Sequence, residues 1–156
     1  MNSFQVKAQH KKDTTYIHLI NLKGHPVQLS DYLGKVLYID FWASWCGGCK
    51  IFIQHGDSLY DRFTKAQHKK IEFINISIDE DEKSWKKGVE KHQQKGVHLL
   101  SRLSDSLGAA KYFRLTGLPR YVIIDKKGKI KSFIAQTPYY TNVYEELLEL
   151  IEADQN

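Results

Sequence analysis

Runs of apolar residues with two different periods divide this chain into predicted strands and helices. Residues 36–41 are almost continuously apolar, which is typical of a central strand covered on both faces. Residues 71–78 alternate between apolar and polar side chains, which predicts a second long strand. Shorter strand patterns flank these two: residues 16–20 and 27–29 around a turn at 23–26, residues 97–100, and residues 121–125 and 130–135 around a turn at 126–128.

Helical patterns lie between these strands. Residues 47–66 predict a long helix that could be interrupted near Gly56, and residues 81–94 predict a mostly polar one. A single helical turn is predicted at 30–34 and a short helix at 106–113. The C-terminal helix has the clearest apolar stripe, at i, i+3, i+4, i+7, i+8 and i+11: Tyr140, Val143, Tyr144, Leu147, Leu148 and Ile151.

The order of these elements predicts the fold class. Strands and helices alternate through the first part of the chain, and a hairpin follows before the last helix. This order is typical of an α/β fold with a central sheet and helices on both faces. At 156 residues, the chain is long enough for one domain with a sizeable core.

Composition and charge exclude several classes of function. With 42% hydrophobic and 26% charged residues, the chain is an ordinary globular sequence. The net charge of +5 is spread over short basic clusters without a nucleic-acid-binding motif, so we expect no nucleic acid partner. The longest apolar run, residues 36–43, is too short to span a bilayer. No secretory segment follows Met1, so either the protein is cytoplasmic or a leader or upstream segment is absent from this chain.

The candidate chemistry centres on the only two cysteines, Cys46 and Cys49, which follow directly on the predicted central strand. Because two residues separate them, they can close into a disulfide and open again with little chain movement. At a strand-to-helix junction, the first-turn N–H groups and the helix dipole would favour a thiolate at Cys46. The thiolate is the reactive form, so this spacing indicates a redox pair.

Three other uses of the cysteine pair are less favoured. A structural disulfide across so short a loop would contribute only about 2 kcal/mol in the chain-entropy model. A zinc site normally needs two more ligands at close spacing, but there is no second cysteine pair and the histidines are scattered. Covalent haem attachment needs a histidine after the second cysteine, where Lys50 stands. We therefore expect redox chemistry with no metal and no dissociable cofactor.

Two segments resemble the thioredoxin superfamily. Residues 40–50, Asp-Phe-Trp-Ala-Ser-Trp-Cys-Gly-Gly-Cys-Lys, resemble its active-site segment, and Gly117-Leu118-Pro119 resembles its cis-proline loop. The predicted N-terminal hairpin and an insert between the middle strands are similar to the TlpA/ResA-like branch, the envelope thiol-disulfide oxidoreductases of bacteria. The resemblance covers roughly residues 17–151.

The resemblance implies a single thioredoxin-like domain over residues 1–156. Its N-terminal hairpin would lie at about 15–30, and its active-site strand and helix at 36–66. The insert would lie at about 80–105. The cis-proline loop, the second hairpin and the last helix would occupy residues 117–152.

Catalytic roles follow for three residues. The resemblance implies that Cys46 attacks the substrate and that Cys49 resolves the mixed disulfide by attacking Cys46. Asp40 interrupts an apolar strand six residues before Cys46, and burial raises the pKa of a carboxyl group, which suits proton transfer near neutrality. The resemblance places a catalytic acid at this same position. The alternative for Asp40 is a carboxylate that is only hydrogen-bonded or solvated at a strand end.

Substrate contacts are expected from the residues around the cysteines and from the proline loop. We expect Trp45, Gly47 and Gly48 to contribute from the cysteine segment, and Leu118, Pro119 and Arg120 from the proline loop. Trp42 is as well explained by core packing. The resemblance implies a cis peptide bond before Pro119, which would leave the main chain of Leu118 able to pair with a substrate strand.

Two positions depart from the family pattern. Gly48 replaces the usual proline and loosens the first helical turn, and Arg120 replaces a small threonine. Near Cys46, Arg120 would lower the pKa of the thiol and favour acidic partners, whereas pointing outward it would do neither.

The resulting hypothesis is a thiol-disulfide oxidoreductase that acts on cysteines of other proteins. The resemblance implies a reductant in the bacterial cell envelope or periplasm, fed by a membrane or soluble thiol electron donor. One alternative is a thiol peroxidase using Cys46, which Ala43 disfavours because peroxidase relatives carry a threonine there. The other is a thioredoxin-fold binding module that has lost its redox activity.

Overall fold

The strands of the computed structural model, which describes residues 17–153, form one mixed seven-stranded sheet. They are β1 (Leu19–Asn21), β2 (Pro26–Val27), β3 (Val36–Trp42), β4 (Ile71–Ser77), β5 (Val97–Leu100), β6 (Arg120–Ile124) and β7 (Ile130–Ala135). Their order across the sheet is β2-β1-β5-β4-β3-β6-β7. β3 pairs in parallel with β4 and antiparallel with β6, so the strand before the cysteines lies inside the sheet.

All seven residues of β3 are buried. Neighbouring side chains on a strand point to opposite faces, so a strand covered on both faces needs an almost continuous apolar sequence. The central strand predicted at residues 36–41 is therefore confirmed and extends one residue further, to Trp42.

Helices cover both faces of the sheet. They are α1 (Gly47–Asp61), α2 (Glu82–His92), α3 (Ala109–Tyr112) and α4 (Asn142–Glu152). On one face, α1 and α4 pack with Tyr38 and Ile123; on the other, α3 and the 3-10 turn Leu29–Tyr32 pack with Ile39. The predicted α/β architecture is confirmed. None of the helices within residues 17–153 has the length and apolar character needed to cross a membrane.

The N-terminal hairpin is shorter than predicted. β1 begins at Leu19, and Tyr16, at the start of the predicted strand, lies outside the described residues. β2 ends at Val27 because the next backbone N–H, that of Gln28, donates to Asp31 Oδ2 at 2.9 Å. This bond begins the 3-10 turn, so Leu29 is its first residue and not the last residue of a strand.

The long helix α1 runs past Gly56 without a break and ends at Asp61, five residues before the predicted end. After it, Phe63 turns into the core. Thr64 N donates to Gln67 Oε1 at 2.8 Å, and Gln67 N donates to Thr64 Oγ1 at 3.2 Å. These reciprocal bonds start a separate 3-10 turn, Gln67–Lys69.

The other helices are also shorter than predicted. Asp81 caps α2 from outside, because its carboxylate accepts the N–H of Ser84 at 2.8 Å. α3 begins only at Ala109, since Asp105 holds the preceding residues in a turn through the N–H of Leu107. α4 begins at Asn142, so Tyr140 precedes it and is 52% exposed; its predicted place in the apolar stripe was wrong.

Candidate active site

The two cysteines lie at the start of α1 and are joined in a disulfide. Cys46 is the N-cap of the helix, and its Sγ accepts a hydrogen bond of 3.1 Å from the backbone N–H of Cys49. In the reduced protein the same N–H and the positive end of the 15-residue helix would stabilise a thiolate at Cys46. Cys46 is only 7% exposed in the disulfide form, so it is less accessible than we expect of a free nucleophile.

Asp79 fixes the loop that leads to Cys46. Its buried carboxylate accepts the backbone N–H and the hydroxyl of Ser44, at 2.9 and 2.7 Å, and the hydroxyl of Ser77 at 2.6 Å. These bonds tie Ser44, two residues before Cys46, to the end of β4. Asp79 was not identified from the sequence, although an acidic residue directly after a predicted buried strand was an available signal.

The helix α2, which belongs to the predicted insert, packs against the same loop. Gly88 lies so close that a Cβ atom there would be 3.0 Å from the Trp42 ring and 3.2 Å from Ser44 Cβ. Trp85, one turn earlier, is fully buried in the apolar cluster that contains Cys46 and Cys49. Trp42 is itself 2% exposed, so it is a core residue.

The proline loop lies against the cysteine segment. The Leu118–Pro119 peptide bond is cis, as the resemblance implied. A Cβ atom on Gly48 would lie 3.8 Å from Pro119 Cδ, an ordinary contact distance, whereas one on Gly47 would meet no other described atom within 4 Å. The structure therefore brings Gly48 and Pro119 together and leaves Gly47 open.

An apolar cleft of about 310 Å³ opens beside Cys46. Trp45, which is 62% exposed, and Leu103, which is 49% exposed, both line it. Leu103 comes from the insert and was not identified from the sequence. No charged side chain among the described residues lines this cleft; its lining consists of Trp45, Cys46, Ile78, Leu103, Leu115, Thr116, Gly117 and Leu118.

Asp40 is a buried carboxyl group with a single described hydrogen bond. Its Oδ2 accepts from Gln94 Nε2 at 2.9 Å, and its Oδ1 has no hydrogen-bond partner among residues 17–153. Burial raises the pKa of Asp40 to about 7, and the Gln94 amide opposes that rise. A carboxyl group with a pKa near neutrality can both take up and release a proton at physiological pH. This environment excludes a solvated carboxylate; the proton-carrier role stays a prediction, beside that of a carboxyl group that is only hydrogen-bonded.

A small cavity of about 10 Å³ lies next to Asp40, enough for about one water molecule. Tyr121, the β6 residue opposite Asp40, also lines it, and the Tyr121 hydroxyl has no hydrogen-bond partner among the described residues. Burial and the nearby Asp40 carboxyl raise the pKa of Tyr121, which keeps its hydroxyl protonated. Two residues whose buried polar atoms lack a partner within residues 17–153 thus line a space of the size of one water.

Asp40 has no direct bond to either sulfur among the described contacts, and only indirect packing links it to the cysteines. Asp40 shares one face of β3 with Trp42, two residues on, and Trp42 packs in the cluster with both cysteines. Gly56, which lines the Asp40 cavity, lies seven residues after Cys49 on α1 and therefore on the same helix face. Proton exchange between Asp40 and Cys49 would need a bridging water.

Arg120 occupies neither of the two positions considered from the sequence. It is buried, its Nε donates to the carbonyl oxygen of Phe133 at 2.8 Å, and its Nη2 donates to those of Phe133 and Phe113. It pairs with Phe41, on the face of the sheet opposite to Asp40. The expected substrate contact is therefore corrected: Arg120 binds backbone carbonyls inside the protein and does not line the cleft.

The histidines do not assemble a metal site in the described part of the chain. Within residues 17–153, no group of three or more His, Cys, Asp or Glu side chains is arranged to hold a metal ion. His55, on α1, instead packs edge-on against the Tyr139 ring, with 5.2 Å between centroids.

Comparison with known proteins reveals consistent similarities. A family profile described as thioredoxin-like matches residues 34–130. The thiol-disulfide oxidoreductase ResA of Geobacillus kaustophilus is 30% identical over 119 residues, which are 76% of this chain and 65% of that protein. The ResA protein of Bacillus cereus is 27% identical over 124 residues, 80% of this chain and 68% of that protein. This chain therefore spans about two thirds of the length of these relatives.

Solved structures that are similar to this one include thiol-disulfide oxidoreductases. The thioredoxin domain of a thiol-disulfide oxidoreductase from Bacteroides vulgatus is similar with a TM-score of 0.73 and 25% identity, over 87% of this chain and 93% of that one. A thiol-disulfide oxidoreductase from Bacteroides fragilis has a TM-score of 0.73 and 25% identity, over 86% of this chain and 98% of that one.

Proposed function

This chain belongs to the thioredoxin-like family, and from that premise we propose that it is a thiol-disulfide oxidoreductase acting on cysteines of other proteins. The observation that carries the proposal is the position of Cys46. Its sulfur caps α1, is bonded to its partner Cys49, and adjoins an open apolar cleft. A disulfide that served only for stability would not need that access.

The proposed reaction transfers two electrons to a substrate disulfide. The Cys46 thiolate attacks one substrate sulfur, which forms a mixed disulfide and releases the other substrate sulfur as a thiolate that takes up a proton. Cys49 then loses its proton and attacks Cys46, which forms the Cys46–Cys49 disulfide and releases the second substrate thiolate. The protein is oxidised and the substrate gains two electrons and two protons.

We propose that Asp40 accepts the proton that Cys49 loses. The Asp40 pKa of about 7 lets the carboxylate accept a proton and later return it to solvent at physiological pH. Since Asp40 has no described bond to a sulfur and neither cysteine lines the cavity beside it, the transfer would pass through water rather than a direct contact. Gly48 lies next to Pro119, and we expect the main chain of Leu118, which lines the cleft, to pair with a substrate strand.

The cleft lining indicates which substrate segments would fit. Because Trp45, Leu103 and Leu118 provide apolar surface and no described charged group lines the cleft, an extended segment with a large apolar residue next to its cysteine would bury that surface favourably. We propose such segments as preferred substrates over segments with a charged neighbour.

Electron flow and location rest on the resemblance to the TlpA/ResA-like branch. We propose a reductant in the bacterial cell envelope, supplied with electrons by a membrane or soluble thiol donor. Reduction potentials within the superfamily extend from about −270 to about −120 mV, so the equilibrium potential of the Cys46–Cys49 couple tests the direction. A potential near the upper end would make the protein an oxidant.

Reduction of insulin by dithiothreitol tests the proposed activity. We expect the protein to accelerate insulin precipitation well above the reagent alone, and Cys46→Ala to abolish the acceleration. Gln54→Leu, a change at an exposed position of α1, is the control and should be fully active. Turnover equal to the reagent alone would favour a binding module, whereas rapid oxidation by peroxide would favour a peroxidase.

A further inference from the structure

Gln94 is the polar group that reaches the Asp40 carboxyl. Its Nε2 donates to Asp40 Oδ2 at 2.9 Å, although the two residues are 54 positions apart in the chain. Gln94 is itself 7% exposed, so its amide is withdrawn from bulk water. A buried amide in this position can donate to the carboxyl, and unlike a lysine it brings no charge that would fully compensate the carboxylate.

The backbone on both sides of Gln94 is fixed by unusual conformations. Gln93 ends α2 in the left-handed region, with φ of 49°. Gly96 has φ of +107°, and a Cβ atom there would lie 2.5 Å from the carbonyl oxygen of Phe73. Only glycine tolerates that approach, so Gly96 allows the segment from 93 to 96 to pack closely on the backbone of β4.

Hydrogen bonds hold the same segment to three neighbouring elements. The carbonyl oxygen of Lys95 accepts from Asn75 Nδ2 in β4 at 2.9 Å, and its N–H donates to Asp57 Oδ1 in α1 at 2.8 Å. The carbonyl oxygen of Gln94 is hydrogen-bonded to His98 Nε2 in β5 at 2.8 Å. The side chain of Gln94 is therefore presented to Asp40 by a rigid frame.

We infer that Gln94 is a positioning residue for the proposed exchange reaction: it holds Asp40 Oδ2 and leaves Oδ1 as the oxygen that takes up and releases the proton. This inference rests on the proposed function. The hydrogen bond favours the ionised carboxyl, while burial favours the neutral one, so the two effects oppose each other. Gln94 thereby keeps Asp40 titratable near neutrality, where burial alone would hold its proton to higher pH.

None of the charged or titratable groups described around Asp40 bonds to its carboxyl group, so Gln94 is its described hydrogen-bond donor. Tyr121 in β6 lines the cavity, and its hydroxyl has no partner in the described part of the chain; Tyr38 in β3 donates its hydroxyl to the carbonyl oxygen of Gln136. The Lys95 ammonium, beside the cavity, is bonded to Asp61, and Asp57 in α1 accepts the Lys95 N–H. No cation among the described residues pairs with Asp40.

A carbon-13 NMR titration of the Asp40 side-chain carboxyl in the oxidised protein tests the inference directly, since neither cysteine titrates in the disulfide. In Gln94→Leu we expect the midpoint to rise by about one pH unit, because a hydrogen bond to a charged group is lost. Gln94→Met, which keeps the side-chain length without a donor, should shift the midpoint in the same direction. Gln54→Leu should leave it unchanged. An unchanged or lowered midpoint in the Gln94 variants would overturn the inference.

The pH profile of mixed-disulfide resolution gives a second, kinetic readout. With Asp40 as the base, the rising limb should move upward with the midpoint, and resolution at pH 7 should slow by about fivefold in Gln94→Leu. In an Asp40→Asn background the same change should have no further effect; a further slowing there would show that Gln94 acts elsewhere. If the wild-type protein resolved no mixed disulfide at all, the proposed function would fail, while the NMR titration would still decide the role of Gln94.

Discussion

Asp40 and Asp79 are both buried aspartates near the cysteine loop, yet their surroundings differ sharply. The Asp79 carboxylate accepts three described hydrogen bonds, from the N–H and hydroxyl of Ser44 and from the hydroxyl of Ser77. Asp40 accepts one, from Gln94; its second oxygen has no donor among the described residues, and the residue lines a small cavity. The first arrangement fixes a loop, and the second leaves an oxygen free to exchange a proton.

The comparison shows that burial alone does not determine the pKa of a carboxyl group or its hydrogen bonds. Desolvation disfavours the charged form of any buried carboxyl, and the number of donors decides how far that cost is compensated. At Asp40 a single neutral amide compensates it only in part, which leaves its pKa near 7. The difference between the two sites is therefore measurable as opposite responses to the same substitution, aspartate to asparagine.

The largest expected effect is a gain in stability for Asp40→Asn at alkaline pH. The folded pKa of about 7 lies above the ordinary value of 3.8, so ionisation of the unfolded chain costs the native state stability as pH rises from about 4 to 7. Asparagine removes that cost, and three pKa units correspond to about 4 kcal/mol. Urea unfolding at pH 4 and pH 8 should show little gain at the lower pH and most of it at the higher one. A loss of stability at pH 8 would contradict the account.

The second effect is kinetic and concerns the same variant. Without a base, Cys49 must lose its proton to solvent, so resolution of the mixed disulfide by Asp40→Asn at pH 7 should slow by roughly 100-fold. Stopped-flow measurement of the resolution step alone isolates this effect from the initial attack. Unchanged kinetics would reject the proton-carrier role and leave Asp40 as a structural group.

For Asp79→Asn the expected stability change has the opposite sign. Asparagine cannot accept all three hydrogen bonds, so we expect a loss of about 2 kcal/mol in the free energy of unfolding at pH 8. Urea unfolding beside Asp40→Asn under identical conditions makes the comparison direct. A gain in stability for both variants would mean that the two carboxyl groups do not differ as described.

The smallest effect is expected for Tyr121→Phe. Because the Tyr121 hydroxyl has no described hydrogen-bond partner, its removal should change the free energy of unfolding by less than about 0.5 kcal/mol. Thermal unfolding of the variant and the wild type is sufficient to measure this. A loss of 2 kcal/mol or more would indicate a strong bond from this hydroxyl to Asp40.

Most of the fold could be predicted from the sequence, because the pattern of apolar residues that indicates each strand or helix lies within that element. The almost continuous apolar run of β3 predicted a strand covered on both faces, and β5 and β7 have the predicted bounds, residues 97–100 and 130–135. The ends of the helices were predicted less accurately. Side chains such as those of Asp105 and Thr64 accept hydrogen bonds from nearby backbone N–H groups and so compete with the helical hydrogen bonds. The periodicity of apolar residues along the sequence does not reveal such hydrogen bonds.

The candidate site was only partly accessible from the sequence. The cysteine spacing and the interruption of an apolar strand by Asp40 were visible, but Gln94 and Asp79 act on residues 54 and 35 positions away. Their roles depend on how the insert packs on the sheet. The direction of Arg120 was likewise open, because both faces of β6 are buried and either could hold it.

Trapping of a mixed disulfide tests the central claim most directly. A disulfide-bonded protein substrate is incubated with reduced Cys49→Ser and reduced Cys46→Ser, and intact masses are measured. We expect a one-to-one covalent adduct through Cys46 in Cys49→Ser, stable because no resolving thiol remains, and far less adduct in Cys46→Ser, whose remaining cysteine is 2% exposed in the native disulfide. Absence of an adduct in Cys49→Ser, or preferential capture by Cys46→Ser, would contradict the account.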